Sequence, residues 1–205
     1  MEVSASFFTS DYDKTFNIFN NSSADYMHYD VCDGKFVDNK FLSLSELEKY
    51  LKLSKKRNDI HLMVSNPEKY IEKLALYDVS FLTIHYEIKD CLKYIDLIKS
   101  YGLKVGVSIK PDTDIKEIFP ILDKISLVLI MSVEPGKSGQ KFLHSATDKI
   151  NLLREELDNK KLNVKIEVDG GINEEVLGLV SNADILVSTS YILNDLDNID
   201  KLKAA

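Results

Sequence analysis

The sequence predicts a single (β/α)8 barrel over residues 1–205. Three observations carry that reading. Eight short runs rich in β-branched and apolar residues recur along the chain. Longer stretches, several with helical periodicity, separate them, and such alternation implies a parallel sheet with right-handed crossovers. Eight units in 205 residues average about 26 residues each, the compact end of the range for a closed barrel. An open doubly wound sheet rarely uses eight regular units.

In chain order the expected strands are Val3–Phe8, Tyr26–Val31, Asp59–Val64, Phe81–His85, Lys104–Ile109, Leu127–Val133, Lys165–Val168 and Ile185–Ser188. Between the second and third, Lys40–Arg57 reads as helix. Asp90–Ser100 places Cys91, Tyr94, Ile95 and Ile98 on one helical face. Asp114–Lys124 does the same with Ile115, Ile118, Phe119 and Leu122, and Ala146–Leu157 with Ile150, Leu153 and Leu157. No linker, low-complexity tract or charge block interrupts the pattern.

Composition narrows the function classes. Hydrophobic residues make up 44% and charged residues 29%, too apolar for a disordered chain. The length suffices to bury roughly 70% of the unfolded surface without a disulfide or metal staple. Lys and Arg number 26 against 33 Asp and Glu, a formal charge of −7 that disfavours nucleic-acid and anionic-membrane partners. No apolar run is long enough to span a bilayer. Met1–Ser10 lacks the basic and apolar regions of a secretory signal. Cys32 and Cys91 have no CxxC spacing and read as free thiols in a reducing compartment. A cytoplasmic protein that forms a homo-oligomer is the expectation.

Barrels of this kind place their chemistry at the C-terminal ends of the strands. The polar residues there are Ser6, His28, Asp30, His61, His85, Glu134, Asp169, Thr189 and Ser190. His28 and Asp30 are two apart on one strand, so they project to the same side. With His61 and Asp169 they form two imidazoles and two carboxylates, a plausible shell for Zn²⁺, Fe²⁺ or Mn²⁺. Three strand-end loops are rich in glycine or hydroxyls: Pro135–Gln140, Asp169-Gly170-Gly171 and Thr189-Ser190. Backbone amides at such loops can cradle an anion, to which Lys137 could add a charge. A site for a small anion such as a phosphate group is the expectation.

The motifs resemble a known family. Met27–Val37 (MHYDVCDGKFV) is similar to the H-x-D-x-M-D-G-x-F-V segment of ribulose-phosphate 3-epimerases. Asp59–Val64 with Pro67 resembles the family's D-x-H-L-M-V…P, and His85-Tyr86-Glu87 its H-x-E strand. Met131–Phe142 resembles M-x-V-x-P-G-F-G-G-Q-x-F, Glu167–Ile172 resembles V-D-G-G-I, and Ala5–Asp11 resembles the opening P-S-I-L-S-A-D. The matches run in order from near residue 5 to near residue 193. The resemblance implies a (β/α)8 epimerase that inverts C3 of D-ribulose 5-phosphate. One divalent metal would be held by His28, Asp30, His61 and Asp169. Zn²⁺ is the first candidate, with Fe²⁺, Mn²⁺ and Co²⁺ as alternatives. Asp30 and Asp169 would be the acid/base pair. Ser6, His61, Gly136, Lys137, Ser138, Gly139, Gly170, Gly171, Thr189 and Ser190 would bind substrate. Met63 and Met131 match an apolar sleeve around the metal, whose third methionine is Cys32 here.

Several positions depart from the family pattern: Glu134 before the proline, Lys137 and Ser138 in the P-G-F-G-G-Q loop, Thr189 for a glycine, and Asp38 for a proline. None removes an implied metal ligand or acid/base group. They cluster around the phosphate loops and the substrate lid, so they bear on which ketose phosphate is used. D-Allulose 6-phosphate is the alternative substrate, and a silent sugar-phosphate-binding relative is the alternative from another class. His144 matches no ligand position and reads as a solvated residue at a helix start. His85 and Glu87 read as structural, with support of the metal ligands from behind as the alternative.

Overall fold

A computed structural model describes all 205 residues. Nine strands form one sheet: β1 (Glu2–Ser6), β2 (Tyr26–Asp33), β3 (Lys40–Phe41), β4 (Arg57–Met63), β5 (Phe81–His85), β6 (Val105–Ile109), β7 (Leu127–Met131), β8 (Lys165–Asp169) and β9 (Ile185–Ser188). Eight of them close into a parallel barrel, because β1 pairs with both β9 and β2. These eight are the expected strands, with ends displaced by at most two residues. The ninth, β3, is an antiparallel addition in which Cys32 opposes Phe41 and Asp33 opposes Lys40.

The helices follow sequence logic less closely. They are α1 (Tyr12–Asn20), α2 (Leu44–Leu53), α3 (Glu68–Leu74), α4 (Cys91–Ser100), α5 (Ser145–Lys160), α6 (Ser190–Asn194) and α7 (Asn198–Lys203). Lys40–Arg57 is not one helix. Its first two residues are β3, its last begins β4, and α2 starts at a capping box: Ser43 accepts from the Glu46 amide, and Glu46 accepts from the Ser43 amide. Asp114–Lys124 is amphipathic as expected but is not α-helical. Pro120 has no amide to donate, and its ring would clash with the carbonyl four residues back. The chain takes a 3-10 helix over Ile115–Lys124 instead, and the buried set shifts toward a period of three: Ile115, Ile118, Ile121 and Leu122, with Phe119 only half-buried.

Strand alternation sorts the interior. Outward residues of the barrel meet the helices in a core of 52 buried side chains. Phe7 sits in an aromatic knot there, with ring centroids 5.4 Å from Phe16, 5.4 Å from Tyr29 and 5.3 Å from Tyr50. Because Tyr29 faces outward, its neighbours His28 and Asp30 face into the barrel. A second, smaller cluster fills part of the barrel lumen: Tyr26, Phe81, Leu127, Leu129, Met131, Val133 and Ile185. The remaining lumen is polar, with Ser4, His28, Asp59, Thr83 and Glu167 all buried.

Candidate active site

Register brings the predicted metal-type residues together. Asp30 is paired with His61, His28 with Asp59, Ser6 with His28, and Met131 with Asp169. One donor atom from each of His28, Asp30, His61 and Asp169 lies within 4.8 Å of the others. Asp30 comes from β2 and Asp169 from β8, with β9 and β1 between them.

His28, Asp30 and His61 are each wired to a partner. The Ser6 hydroxyl donates to Asp30 Oδ2 at 2.7 Å. His61 Nδ1 lies 3.1 Å from Asp30 Oδ1. His28 Nε2 lies 3.5 Å from the same oxygen and is fully buried without a hydrogen bond. The other nitrogen of His28, Nδ1, is 2.6 Å from Asp59 Oδ2, which also accepts from Ser4 at 2.8 Å. His61 Nε2 lies 2.9 Å from His85 Nε2, and His85 Nδ1 lies 3.1 Å from Glu87 Oε2. His85 therefore touches the cluster directly instead of serving only the strand end. Glu87 links it to the following loop.

The electrostatics separate the two aspartates. Burial works to raise Asp30, but the positive charge of His28 beside it outweighs this and holds the carboxyl far below its usual range. Asp169 has no hydrogen-bond donor beside it. Burial and the nearby Asp30 charge push it up to about 7. Burial opposes the charged form of His28 too, yet Asp59 and Asp30 hold its pKa well above the usual imidazole value. Burial lowers His61, and takes His85 to about 4, so both rings are neutral near pH 7. Burial and the adjacent Asp59 keep Glu167, lower in the lumen, protonated far above the usual carboxyl range.

This donor set fits a divalent cation. His28 Nε2 is a buried nitrogen aimed into the cluster with nothing to bond. The carboxylates around His28 favour positive charge at that point, and a proton takes that place on the metal-free ring. Two imidazoles with two carboxylates suit Zn²⁺ and the divalent ions near it in the transition series.

Above the cluster opens a cleft of about 750 Å³. Its walls include Ser6, Asp30, Asp169, Gly136, Lys137, Ser138, Gly139, Gly170, Gly171, Thr189 and Ser190, and the sulfur side chains Met63 and Met131. His28 and His61 are fully buried beneath the cleft and are not part of its walls. Cys32 is likewise set back, its Sγ 4.0 Å from the sulfur of Met63. Lys137 and Ser138 are exposed on the loop after β7. That loop is tied to itself by Gln140, whose amide donates to the carbonyls of Glu134 and Lys137, and to the β2–β3 turn by Asn39, which donates to the Gly136 carbonyl. His144, exposed at the start of α5, stands on the cleft wall. Thr189 has a φ of −121°, a backbone that does not require the glycine the resemblance led one to expect.

Residues 3–193 match the ribulose-phosphate 3 epimerase family. The chain belongs to this family of isomerases. It is 40% identical over 182 residues to the ribulose-phosphate 3-epimerase of Buchnera aphidicola subsp. Baizongia pistaciae, covering 86% of this chain and 80% of the relative. It is 38% identical over 178 residues to that of Bacillus subtilis, covering 85% and 82%. Among solved structures it resembles N-(5'-phosphoribosyl)anthranilate isomerase from Pyrococcus furiosus, with a TM-score of 0.67 at 13% identity over the whole of both chains. It also resembles the tryptophan synthase alpha subunit from Campylobacter jejuni, with a TM-score of 0.63 at 15% identity, covering 98% of this chain and 92% of that one. At such identities these two likenesses speak for the barrel alone.

Motif reading of this family member leaves out the layer beneath the cleft. Asp59 precedes His61 by two residues and Glu167 precedes Asp169 by two, so both share the inward face with a predicted ligand. The period of two that pairs His28 with Asp30 identifies both. Their grouping with His28, all donor atoms within 4.8 Å, comes only from the closed barrel.

Proposed function

We propose that this chain epimerises D-ribulose 5-phosphate to D-xylulose 5-phosphate by proton transfer between two carboxylates. One observation carries the reading: in a member of the epimerase family, Asp30 and Asp169 reach one site from well-separated strands, with surroundings that drive their protonation apart. Near neutral pH Asp30 is ionised and can accept the proton from C3, next to the C2 ketone. The electron pair moves to the C2 oxygen and gives an enediolate. Asp169, protonated in a fraction of molecules, returns a proton to the opposite face of C3. The reverse reaction exchanges the two roles. A divalent cation held by His28, Asp30, His61 and Asp169, with Zn²⁺ ahead of Fe²⁺, Mn²⁺ or Co²⁺, would polarise the ketone and offset the developing oxyanion charge.

The rest of the cleft serves binding. Ser6 fixes the Asp30 carboxylate through Oδ2. Met63 and Met131 supply apolar wall that excludes water. The phosphate is assigned to the amides of Gly136, Gly139, Gly170 and Gly171, the hydroxyls of Ser138, Thr189 and Ser190, and the Lys137 ammonium. Both cysteines are unpaired and buried, which supports the cytoplasmic reading.

The test is a coupled assay of purified protein on D-ribulose 5-phosphate and D-allulose 6-phosphate side by side, repeated in D₂O. The expected result is turnover of the pentose phosphate with one solvent deuterium at C3 of each product. Chelation should abolish turnover and added Zn²⁺ or Fe²⁺ restore it. A preference for the hexose phosphate would move the assignment to that ketose. Turnover of neither would leave a sugar-phosphate-binding relative.

A further inference from the structure

We propose that Glu87 is a positioning residue which, acting through His85, fixes His61 in the tautomer whose Nδ1 lone pair faces Asp30. The proposal rests on the metal-centre reading for its functional meaning, and on hydrogen-bond geometry for its content.

The relay is anchored at the loop after β6. Glu87 Oε1 accepts the Lys110 amide at 2.7 Å and the Thr113 hydroxyl at 2.5 Å. That leaves Oε2 for His85 Nδ1, at 3.1 Å. A carboxylate can only accept, so the His85 proton sits on Nδ1 and its Nε2 carries a lone pair. Across from it, at 2.9 Å, is His61 Nε2. Two ring nitrogens at that distance share one proton, so His61 Nε2 is the donor. His61 Nδ1 is then a lone pair 3.1 Å from Asp30 Oδ1. Two acceptors face each other with no proton between them, which is where a cation is most favoured.

The anchor is itself fastened. Lys149 of α5 donates to the carbonyls of Lys110, Pro111 and Thr113 at 3.1, 2.5 and 2.6 Å. His85 is fully buried and cannot exchange its partners for water. The Phe36 ring packs on it at 4.5 Å, and Lys110 Nζ lies 4.2 Å over the other ring. The relay thus runs from α5 through two loops and two strands to the cluster.

Glu87→Gln tests it with a near-isosteric change. The Lys110 amide can only donate, so the glutamine oxygen must stay with it, and the new NH₂ faces His85 Nδ1. His85 must then carry its proton on Nε2, which moves the His61 proton to Nδ1. Ring ¹⁵N NMR of the metal-free protein should show His61 protonated on Nε2 in the wild type and on Nδ1 in E87Q. Zn²⁺ affinity, read by competition with a chromophoric chelator, should fall about 10- to 100-fold. A wild type with the His61 proton on Nδ1 overturns the proposal even if the variant does not fold. So does E87Q with an unchanged tautomer or with wild-type Zn²⁺ affinity. If the tautomers behave as stated but the wild type binds no Zn²⁺, Fe²⁺, Mn²⁺ or Co²⁺, the metal-centre reading fails and the relay stands.

Discussion

Asp30 and Asp169 are the same side chain with opposite preferences. Asp30 has a serine hydroxyl and two imidazoles around it, whereas Asp169 has burial and a neighbouring negative charge. If they are the acid/base pair, Asp30→Asn and Asp169→Asn should each lower kcat by about 10²- to 10⁴-fold while the circular dichroism spectrum is retained. Activity within tenfold of wild type in either would sink the two-base assignment. The raised Asp169 pKa has a consequence for the metal-free protein. The folded chain holds this proton up to about pH 7, whereas the unfolded chain releases it near pH 4. Its contribution to stability is therefore complete below pH 4 and is lost as pH rises to 7. Urea melts of metal-free wild type should weaken over that window relative to Asp169→Asn, which lacks the titrating group. Sequence reading reaches the four ligand-type residues because their family motifs name them. It does not reach the difference between the aspartates, which depends on neighbours from other strands.

The loops after β7 and β8 meet where glycine is required. Gly171 has a φ of +66°, and a Cβ there would stand 2.4 Å from the Phe142 amide nitrogen. Gly171→Ala should push the loop after β8 away from the loop after β7 and raise KM for the sugar phosphate at least tenfold, with a smaller change in kcat. Gly139 also has a positive φ, +75°, but a Cβ there meets open space, so Gly139→Ala should be milder. Equal effects would detach the phosphate from the Gly170-Gly171 turn. Element type is legible where one signal dominates. The eight barrel strands are short, apolar and well spaced. Periodicity alone misleads at Asp114–Lys124, where Pro120 decides the hydrogen-bond pattern. In α1 the buried face is partly polar, with Thr15 and Asn20 beside Phe16 and Phe19.

At the scale of the molecule, the barrel lumen is built from unlike parts. Leu127, Leu129, Tyr26, Phe81 and Ile185 pack as an apolar plug, while His28, Asp59 and Glu167 form a charged and protonated layer. Burying such groups is costly unless each is paired, and His28 Nε2, Asp59 Oδ1 and both Glu167 carboxyl oxygens have no hydrogen-bond partner. Binding to the folded state alone should therefore stabilise the whole chain. At Zn²⁺ concentrations about 100-fold above Kd the gain is about 2.7 kcal/mol, which for a domain of this size raises Tm by roughly 5–10 °C. Calorimetry with and without the ion measures this, and His61→Ala should abolish the shift. An unshifted wild-type melt would argue against a buried divalent site.

The sequence by itself determined the barrel, the order of its strands, the inward face of each ligand-bearing strand and membership in the epimerase family. These follow from local patterns: strand alternation, unit length, and motifs confined to a few consecutive residues. Only the tertiary structure decided that His85 meets His61, that Asp59 and Glu167 lie beneath His28, and that Asp30 and Asp169 titrate far apart. Those facts depend on barrel closure, which sets residues from β1, β2, β4 and β5 within hydrogen-bond distance, and those of β8 within 4.8 Å, across a shared lumen. No local pattern carries the distance between two strands that are far apart in the chain.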